Sequence, residues 1–364
     1  MKRFRNKKEQ TLTKFAILGD THFGVRGDSI RFHDYYRKFY DEIFFPYLKE
    51  NNITTIFQLG DLFDRRKYIN FNTLALSKAY FFDKIRENNI QFYTLLGNHD
   101  IFWKESLEVN STGLVLGEYA EWIHLIDKPT SIQYDNTSID MIPWICKENE
   151  EEVFDYIKHS KSDLCFGHFE IAGFPMYRGM IGGHGLSHDM FSRYERVLSG
   201  HYHTRSKQEN IEYVGTPYEM TWQDYNDPRG FSVFDTETRE LEFIQNKYTI
   251  HEKIIYNDLH DAEINTDDLD IKDKYIKIVI VNKTDLYKFD KFMSDLYIKD
   301  AYEIKIIEDF SEFNEGEIST EINLEDTLSI LSNYVDSVET VENKEEIKTV
   351  LKELYLEAIN MEVV

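Results

Sequence analysis

Cysteine is scarce in this chain, and long apolar runs are absent from it. The 364 residues include two cysteines, Cys146 and Cys165, both in apolar surroundings. Two such residues cannot supply a disulfide framework, so we expect small core side chains in a reducing compartment. No stretch approaches the roughly 18 apolar residues of a membrane helix, and no apolar segment follows the basic start MKRFRNKKEQ. We therefore expect a cytoplasmic protein without a membrane segment or a standard secretion signal.

Positive charge is also in short supply. Lys and Arg number 42 against 66 Asp and Glu, which gives a formal net charge of −24. Because Lys and Arg contacts with phosphates supply most non-specific affinity for nucleic acid, strong DNA binding by the chain alone is not expected. The excess is concentrated in residues 251–364, where 29 acidic residues face 12 basic ones. Bound divalent cations would offset carboxylates near a catalytic site, so local DNA binding stays open.

The first 250 residues are typical of one large domain that combines strands and helices. Residues 1–13 are polar and basic, which predicts a solvated tail, with a nucleic-acid-binding arm as the alternative. Strand-like runs at 15–18, 54–59 and 91–96 then alternate with helix-like segments at 31–50 and 72–87. This order predicts a parallel sheet with right-handed crossovers, and both helices should end where Asn adopts the left-handed conformation. Later short strands at 163–166, 197–198, 211–214, 230–234 and 240–244 favour a core of two sheets over an open doubly wound sheet.

The rest of the chain predicts two smaller units. Residues 251–320 alternate charged residues with short β-like runs, which indicates a small α+β accessory domain. Residues 321–364 predict two helices. Leu324, Leu328, Leu331 and Val335 recur at helical spacing after Asn323, and a second apolar stripe from Ile347 to Ala358 follows a capping-box pattern of Asn343 with Glu346. These helices could pack on each other, on the main domain or on a partner.

Residues of the types that bind metals follow five of the predicted strands. Taken singly, an Asp after a strand is usually a turn residue or a helix cap, and a lone His is more often structural. The joint pattern differs because ligands bind beyond the carboxyl ends of strands in α/β sheets, where glycine allows tight turns. The segments are Asp20-Thr21-His22, Gly60-Asp61, Gly97-Asn98-His99-Asp100, Gly167-His168 and Gly200-His201-Tyr202-His203. They predict seven metal ligands, Asp20, His22, Asp61, Asn98, His168, His201 and His203.

This mixture of imidazole, carboxylate and carboxamide suits a pair of divalent ions that act on a phosphate. Two ions about 3.5–4 Å apart can clamp a phosphate, lower the pKa of a bridging water and stabilise the leaving oxygen. One carboxylate has to bridge them, and Asp61 is the expected bridge. Imidazole ligands favour Mn²⁺, iron or zinc over Mg²⁺ alone. We therefore expect two divalent ions, with Mn²⁺ as the expected metal and Mg²⁺ as the alternative.

The order D-x-H, G-D-x-x-D, G-N-H-D, G-H and G-H-x-H resembles that of the calcineurin-like metallophosphoesterases. Within that superfamily the segments GDTHFGVR, GDLFDRRK, IDMIPWICKEN and GTPYEMTWQDYNDPRGFSVFDTET resemble SbcD-type nucleases of double-strand break processing. They are most similar to the recombination endonuclease subunits of T-even-type phages. The likeness is strong over residues 14–250 and weak beyond them. It implies a two-sheet sandwich flanked by helices for the nuclease domain, a DNA-capping role for residues 251–320 and an ATPase-binding role for residues 321–364.

The resemblance also implies roles for individual residues. One ion would be held by Asp20, His22, Asp61 and His203, and the other by Asp61, Asn98, His168 and His201. His99 would face the scissile phosphate, where it stabilises charge or protonates the leaving oxygen, and the Asp64 carboxylate would orient its ring. A helix cap is the alternative for Asp64. Candidate DNA contacts are Arg65, Arg66 and Arg178, for which solvated surface positions are the alternative.

As a function, the resemblance implies a Mn²⁺-dependent DNA exonuclease and endonuclease. It further implies a homodimer that joins an SbcC-like ATPase in a heterotetramer, in the cytoplasm of a bacterial or phage-infected cell. Two alternatives are another phosphoesterase of the superfamily, such as a protein phosphatase or nucleotide phosphodiesterase, and a non-catalytic scaffold. Retention of every metal-type side chain together with His99 disfavours the scaffold. The DPRGF segment and the long C-terminal extension favour the nuclease.

Overall fold

Strands make up two large sheets and two small ones in the computed structural model, which describes residues 13–177, 180–259, 265–308, 335, 343–344 and 347–351. The strands are β1 (Lys14–Leu18), β2 (Thr55–Gln58), β3 (Gln91–Leu95), β4 (Ile123–Ile126), β5 (Thr130–Tyr134), β6 (Thr137–Ile142), β7 (Leu164–His168), β8 (Pro175–Tyr177), β9 (Met180–Ile181), β10 (Arg196–Gly200), β11 (Ser206–Gln208), β12 (Ile211–Tyr213), β13 (Gly230–Asp235), β14 (Leu241–Gln245), β15 (His251–Asn257), β16 (Tyr275–Asn282) and β17 (Glu303–Glu308).

The first large sheet, sheet A, has the strand order β14-β13-β1-β2-β3-β4. Strands β1 to β4 are parallel, as predicted for β1, β2 and β3, whereas β13 pairs antiparallel with β1 and β14 pairs antiparallel with β13. Strand β1 is apolar throughout because both of its faces are covered. Phe15 and Ile17 pack in the cluster shared with the second sheet, while Ala16 and Leu18 pack with aromatic residues of the helices.

The second large sheet, sheet B, has the order β11-β12-β10-β7-β6-β5. Its central strands β6, β7, β10 and β12 are parallel, and an antiparallel strand lies at each edge. Apolar side chains of both sheets, among them Phe57 and Phe166, form one buried cluster between them. The expected two-sheet sandwich flanked by helices is therefore confirmed.

The helices are α1 (Val25–Asp28), α2 (Ile30–Phe39), α3 (Phe45–Glu50), α4 (Phe71–Ser77), α5 (Asp83–Glu87), α6 (Ser111–Val115), α7 (Glu150–His159) and α8 (Leu286–Tyr297), with short 3-10 turns at Gly117–Tyr119, His188–Phe191, Trp222–Asp224 and Thr266–Asp268. A π-helical segment joins α2 to α3 (Tyr40–Phe44) and another joins α4 to α5 (Lys78–Phe82), so the two predicted long helices are each continuous but irregular. In the first, Pro46 lacks the N–H that a regular α-helix needs. Asn52 and Asn89 adopt φ values of 54° and 50°, which confirms the predicted left-handed helix ends.

Beyond residue 250 the chain forms a three-stranded sheet in the order β15-β16-β17. Helix α8 covers it, with Phe292 and Leu296 buried against Ile254 and Ile278. The chain divides into two compact units, Met1–Ile307 and Glu308–Val364. The predicted domain limits at residues 250 and 320 stay predictions.

The predicted C-terminal helices lie largely outside the described residues, including Leu324, Leu328, Leu331 and most of the second stripe. Residues 347–351 are helical, and the Ile347 N–H donates to the Asn343 carbonyl over 3.2 Å. Among the helices described, none has the length and apolar character needed to cross a membrane.

Candidate metal centre

The seven predicted ligands lie together where strands of sheets A and B end. Two hydrogen bonds between the sheets fix this meeting point. The His201 N–H from sheet B donates to the Asp20 carboxylate from sheet A over 3.0 Å. The His168 Nδ1 lies 2.6 Å from the carbonyl oxygen of Leu59, the residue after β2. The loops that follow β1, β2, β3, β7 and β10 therefore build one site.

Asp20, His22 and His203 form the first group of side chains able to share a metal ion. The Nε2 atoms of His22 and His203 lie 3.2 Å apart, and His203 Nε2 lies 3.7 Å from Asp20 Oδ2. Two ligand atoms about 2.1 Å from one ion, at about 100° to each other, lie about 3.2 Å apart. The spacing of this group therefore fits one bound ion.

Asp61, His168 and His201 form the second group, and Asn98 lies between its two imidazoles. The Asn98 Oδ1 atom is 3.0 Å from His168 Nε2 and 3.0 Å from His201 Nδ1. Because the His168 Nδ1 is engaged by a carbonyl, its Nε2 is left as the lone-pair donor on this side. This donor set also fits a divalent ion.

Asp61 lies between the two groups. Its Oδ2 atom is 3.3 Å from His168 Nε2 in one group and 3.6 Å from His22 Nε2 in the other. Its Oδ1 accepts a hydrogen bond from the His99 main-chain N–H over 2.7 Å, which holds the carboxylate in place. The seven predicted ligands thus lie in two neighbouring groups with Asp61 between them, and their assignment to two ions stays a prediction.

The backbone is strained at three of these positions. His22, Asp61 and His201 have φ values of 41°, 54° and 85°, in a region that residues other than glycine rarely adopt. Such conformations cost of order 1–3 kcal/mol each and persist where the surrounding structure enforces them, often at functional sites. Gly60 precedes Asp61 at φ 95°, and a Cβ there would lie 2.5 Å from His168 Nδ1. Only glycine allows this approach.

The pKa values of the site histidines are shifted in opposite directions. Burial would lower the pKa of His22, but Asp64 and Asp61 raise it to about 9. Burial would likewise lower the pKa of His168, but Asp61 and Asp20 raise it to about 9. Burial together with His22 lowers the pKa of His203 to about 3. The buried carboxylates thus draw positive charge to the site, and divalent cations would supply it.

His99 contacts Asp64, although not in the way expected. Its Nδ1 lies 2.5 Å from the main-chain carbonyl oxygen of Asp64, whereas the Asp64 carboxylate lies 3.3 Å from His22 Nδ1. A carbonyl that accepts from Nδ1–H fixes the tautomer as a carboxylate would. The expected carboxylate partner of His99 is therefore a main-chain carbonyl, and the carboxylate instead supports a candidate metal ligand.

The three candidate DNA contacts fall in different surroundings. The Arg65 guanidinium lies 4.0 Å from the Asp28 carboxylate and over the Tyr68 ring. Burial lowers the pKa of the Arg66 guanidinium, and the Asp61 carboxylate opposes this change. Arg178 is outside the described residues.

Three residues that support the site were not predicted. The buried Asp100 carboxylate accepts main-chain N–H groups of Asp61, Leu62 and Gly97 over 2.8–3.0 Å and so shapes two ligand loops. Gln58 accepts the Gly60 N–H over 3.1 Å, and Trp144 packs with its ring 5.1 Å from that of His201. The only signal in the sequence is a polar residue at the end of an apolar strand for Gln58 and the position of Asp100 next to His99.

Comparisons with known sequences found relatives of this chain. The family model for calcineurin-like phosphoesterase matches residues 13–205. Exonuclease subunit 1 of Enterobacteria phage T4 is 33% identical over 348 residues, which cover 95% of this chain and 99% of that protein.

Two solved structures show weaker similarity. One, described as a novel archaeal phosphodiesterase, is 14% identical with a TM-score of 0.34 and covers 64% of this chain and 99% of that chain. The other, described as a novel phosphatase from Mycoplasma pneumoniae, is 11% identical with a TM-score of 0.35 and covers 64% and 92%. The family assignment does not depend on them. Because the family model matches residues 13–205 and the T4 relative is similar over nearly the whole length, the chain belongs to the calcineurin-like phosphoesterase family.

Proposed function

We propose that this chain is a DNA nuclease that hydrolyses phosphodiester bonds with two divalent ions. The observation that carries the proposal is the pair of candidate ligand groups that meet at the Asp61 carboxylate. The similarity to a protein named exonuclease subunit 1 favours a nucleic-acid substrate over a phosphoprotein. Exonuclease and endonuclease activities are both included, as for the SbcD-type nucleases.

The residues proposed to hold the ions are the seven predicted ligands. Asp20, His22 and His203 would hold one ion, Asn98, His168 and His201 the other, and Asp61 both. When bound, two such ions supply an activated water and positive charge for the phosphate. Mn²⁺ is the proposed metal, with Mg²⁺ as the alternative, because four imidazoles in the set suit the transition metal better.

His99 is proposed to act on the substrate rather than on the metals. With its Nδ1–H donated to the Asp64 carbonyl, Nε2 is the ring atom left to meet the scissile phosphate. Burial lowers the pKa of His99, and Asp61 partly opposes this, which favours the neutral ring before substrate arrives. A nearby phosphate anion favours the protonated ring, which can then donate a proton to the leaving oxygen.

Arginines beside the second motif are proposed to contact the phosphate backbone. Arg66 is partly buried and the charge of Asp61 acts on its pKa, which supports a contact with a phosphate at the centre. Arg65 follows the same strand, and its guanidinium lies over the Tyr68 ring. Arg178 is a third proposed contact. A chain of net charge −24 needs such local cations because its overall field repels DNA.

We further propose that the nuclease works as a homodimer with an SbcC-like ATPase in the cytoplasm. The word subunit in the name of the T4 relative supports a partner. Residues 321–364 are the proposed docking segment because their two apolar stripes are typical of helices that pack on another surface. A partner that also holds DNA would compensate for the weak DNA affinity expected of the acidic chain.

One comparison of substrates tests the proposal. The purified chain is assayed with linear DNA, a small aryl phosphodiester and a phosphopeptide, in Mn²⁺ or EDTA, with and without the ATPase subunit and ATP. We expect Mn²⁺-dependent release of nucleotides and stimulation by the ATPase. Turnover of the phosphopeptide in preference to DNA would assign the chain to the phosphatases instead.

A further inference from the structure

Arg229, in the DPRGF segment, is a buried arginine beside the candidate metal centre. Only 3% of its side chain is exposed. Its Nη1 donates to the main-chain carbonyl of His203 and, over 2.7 Å, to the Thr216 hydroxyl. Its guanidinium therefore reaches directly to the backbone of a proposed metal ligand.

Two carboxylates hold the other side of this guanidinium. The Arg229 Nη2 donates to Asp224 over 2.9 Å and to Asp227 over 2.7 Å. Asp224 is itself fixed, because it also accepts the N–H groups of Met220 and Thr221 over 2.7 and 2.8 Å. A buried charge is costly unless it is paired and hydrogen-bonded. These contacts neutralise the arginine and fix the direction in which it donates.

His203 has particular need of such support. Its side chain is 24% exposed, against 4% for His22 and 0% for His168, so packing restrains it less than those two ligands. Its carbonyl accepts both the Arg229 guanidinium and, over 3.1 Å, the Thr216 N–H. These two donors fix the peptide that follows His203 and with it the orientation of the imidazole.

We propose that Arg229 is a positioning residue, which holds the His203 main chain so that the imidazole stays on the Asp20 and His22 group. This inference rests on the proposed metal centre. It gives a role to the DPRGF segment, which contains neither a proposed metal ligand nor His99. Groups that orient metal ligands from outside the ligand set typically contribute about 10–100-fold to metal affinity or activity.

Two substitutions and a matched control test this role. Arg229→Met removes the donors. Arg229→Lys keeps a positive charge beside the two carboxylates but lacks the planar guanidinium that donates to both sides. Arg239→Met is the control, because Arg239 also joins separate parts of the chain by side-chain hydrogen bonds, through Thr137 and Glu195, at the turn between β13 and β14. Each full-length chain is freed of metal and titrated with Mn²⁺ by calorimetry, well below its own melting temperature.

We expect the wild-type chain and Arg239→Met to bind two Mn²⁺ ions alike. Arg229→Met should bind one of the two ions about 10–100-fold more weakly and leave the other unchanged, with Arg229→Lys in between. Saturating Mn²⁺ should restore the turnover of a small aryl phosphodiester, because the lost property is affinity for one ion. A purely structural arginine would instead lower the melting temperature and leave both affinities unchanged.

The outcomes separate this inference from the proposed function. If the wild-type chain bound no pair of ions, the metal centre would be wrong and the role of Arg229 with it. If the wild-type chain bound the pair and both Arg229 variants bound it equally well, the positioning role alone would be overturned. Equal weakening of both ions would also overturn it. If Arg229→Met does not fold, Arg229→Lys decides.

Discussion

Replacing Gly60 by alanine should destabilise the protein in two ways, through its left-handed backbone conformation and through a close contact with His168. Gly60 has φ 95°, and a Cβ would lie 2.5 Å from His168 Nδ1 and 2.9 Å from its Cγ. His168 is fully buried, so its ring cannot move aside at low cost. A left-handed conformation costs a residue with a Cβ roughly 1–2 kcal/mol, and overpacking costs about 1–3 kcal/mol. We expect Gly60→Ala to lower the free energy of unfolding by about 2–5 kcal/mol.

Two other glycines serve as controls. Gly173 has φ 90°, but within the described residues, chain neighbours aside, no atom lies within 4 Å of the position that an added Cβ would take, so Gly173→Ala should cost only the backbone effect of about 1–2 kcal/mol. Gly117 has no left-handed φ, and apart from its chain neighbours no atom of the part of the chain that the structure describes lies within 4 Å of an added Cβ, so Gly117→Ala should be neutral or stabilise by up to about 1 kcal/mol. Urea unfolding in EDTA, followed by circular dichroism, measures all three. If Gly60→Ala cost no more than Gly173→Ala, the close approach to His168 would be wrong.

Three further predictions concern the chemistry and the partner. His99→Ala should reduce turnover about 10²–10⁴-fold with Mn²⁺ binding unchanged, and loss of both ions in this variant would refute its role. Asp64→Ala keeps the main-chain carbonyl that contacts His99 but removes the carboxylate beside His22. We therefore expect weaker Mn²⁺ binding, and excess Mn²⁺ should restore turnover. A loss of turnover that excess Mn²⁺ does not restore would contradict the observed contacts. Deletion of residues 321–364 should leave hydrolysis of a small phosphodiester intact but abolish co-purification with the ATPase, and unchanged ATPase affinity would refute the docking role.

Local patterns in the sequence predicted the parts of the fold that local physics controls. Strands β1, β2 and β3 have apolar runs because they are covered on both faces, and the left-handed Asn52 and Asn89 end their helices as expected. The hairpin of β5 and β6 was not predicted. Strand β5 lies at the edge of sheet B, partly exposed along its length, so its sequence carries little apolar signal.

The candidate ligands were found because each follows a strand, but their supporting contacts could not be. Asp64 and His99 are 35 residues apart, and nothing in the sequence distinguishes a contact by carbonyl from one by carboxylate. Arg229 and His203 meet across 26 residues through a loop whose path depends on Thr216 and Asp224. Such contacts depend on tertiary packing, which the periodicity of apolar residues does not specify.

The central claim, that Asp61 bridges two ions, is tested most directly by anomalous diffraction from a crystal of the full chain soaked in Mn²⁺. We predict two anomalous peaks roughly 3.5–4 Å apart, each within bonding distance of an Asp61 carboxylate oxygen. His203 should bind the first ion and His168 the second. One peak alone, or an Asp61 carboxylate bound to a single ion, would contradict the account.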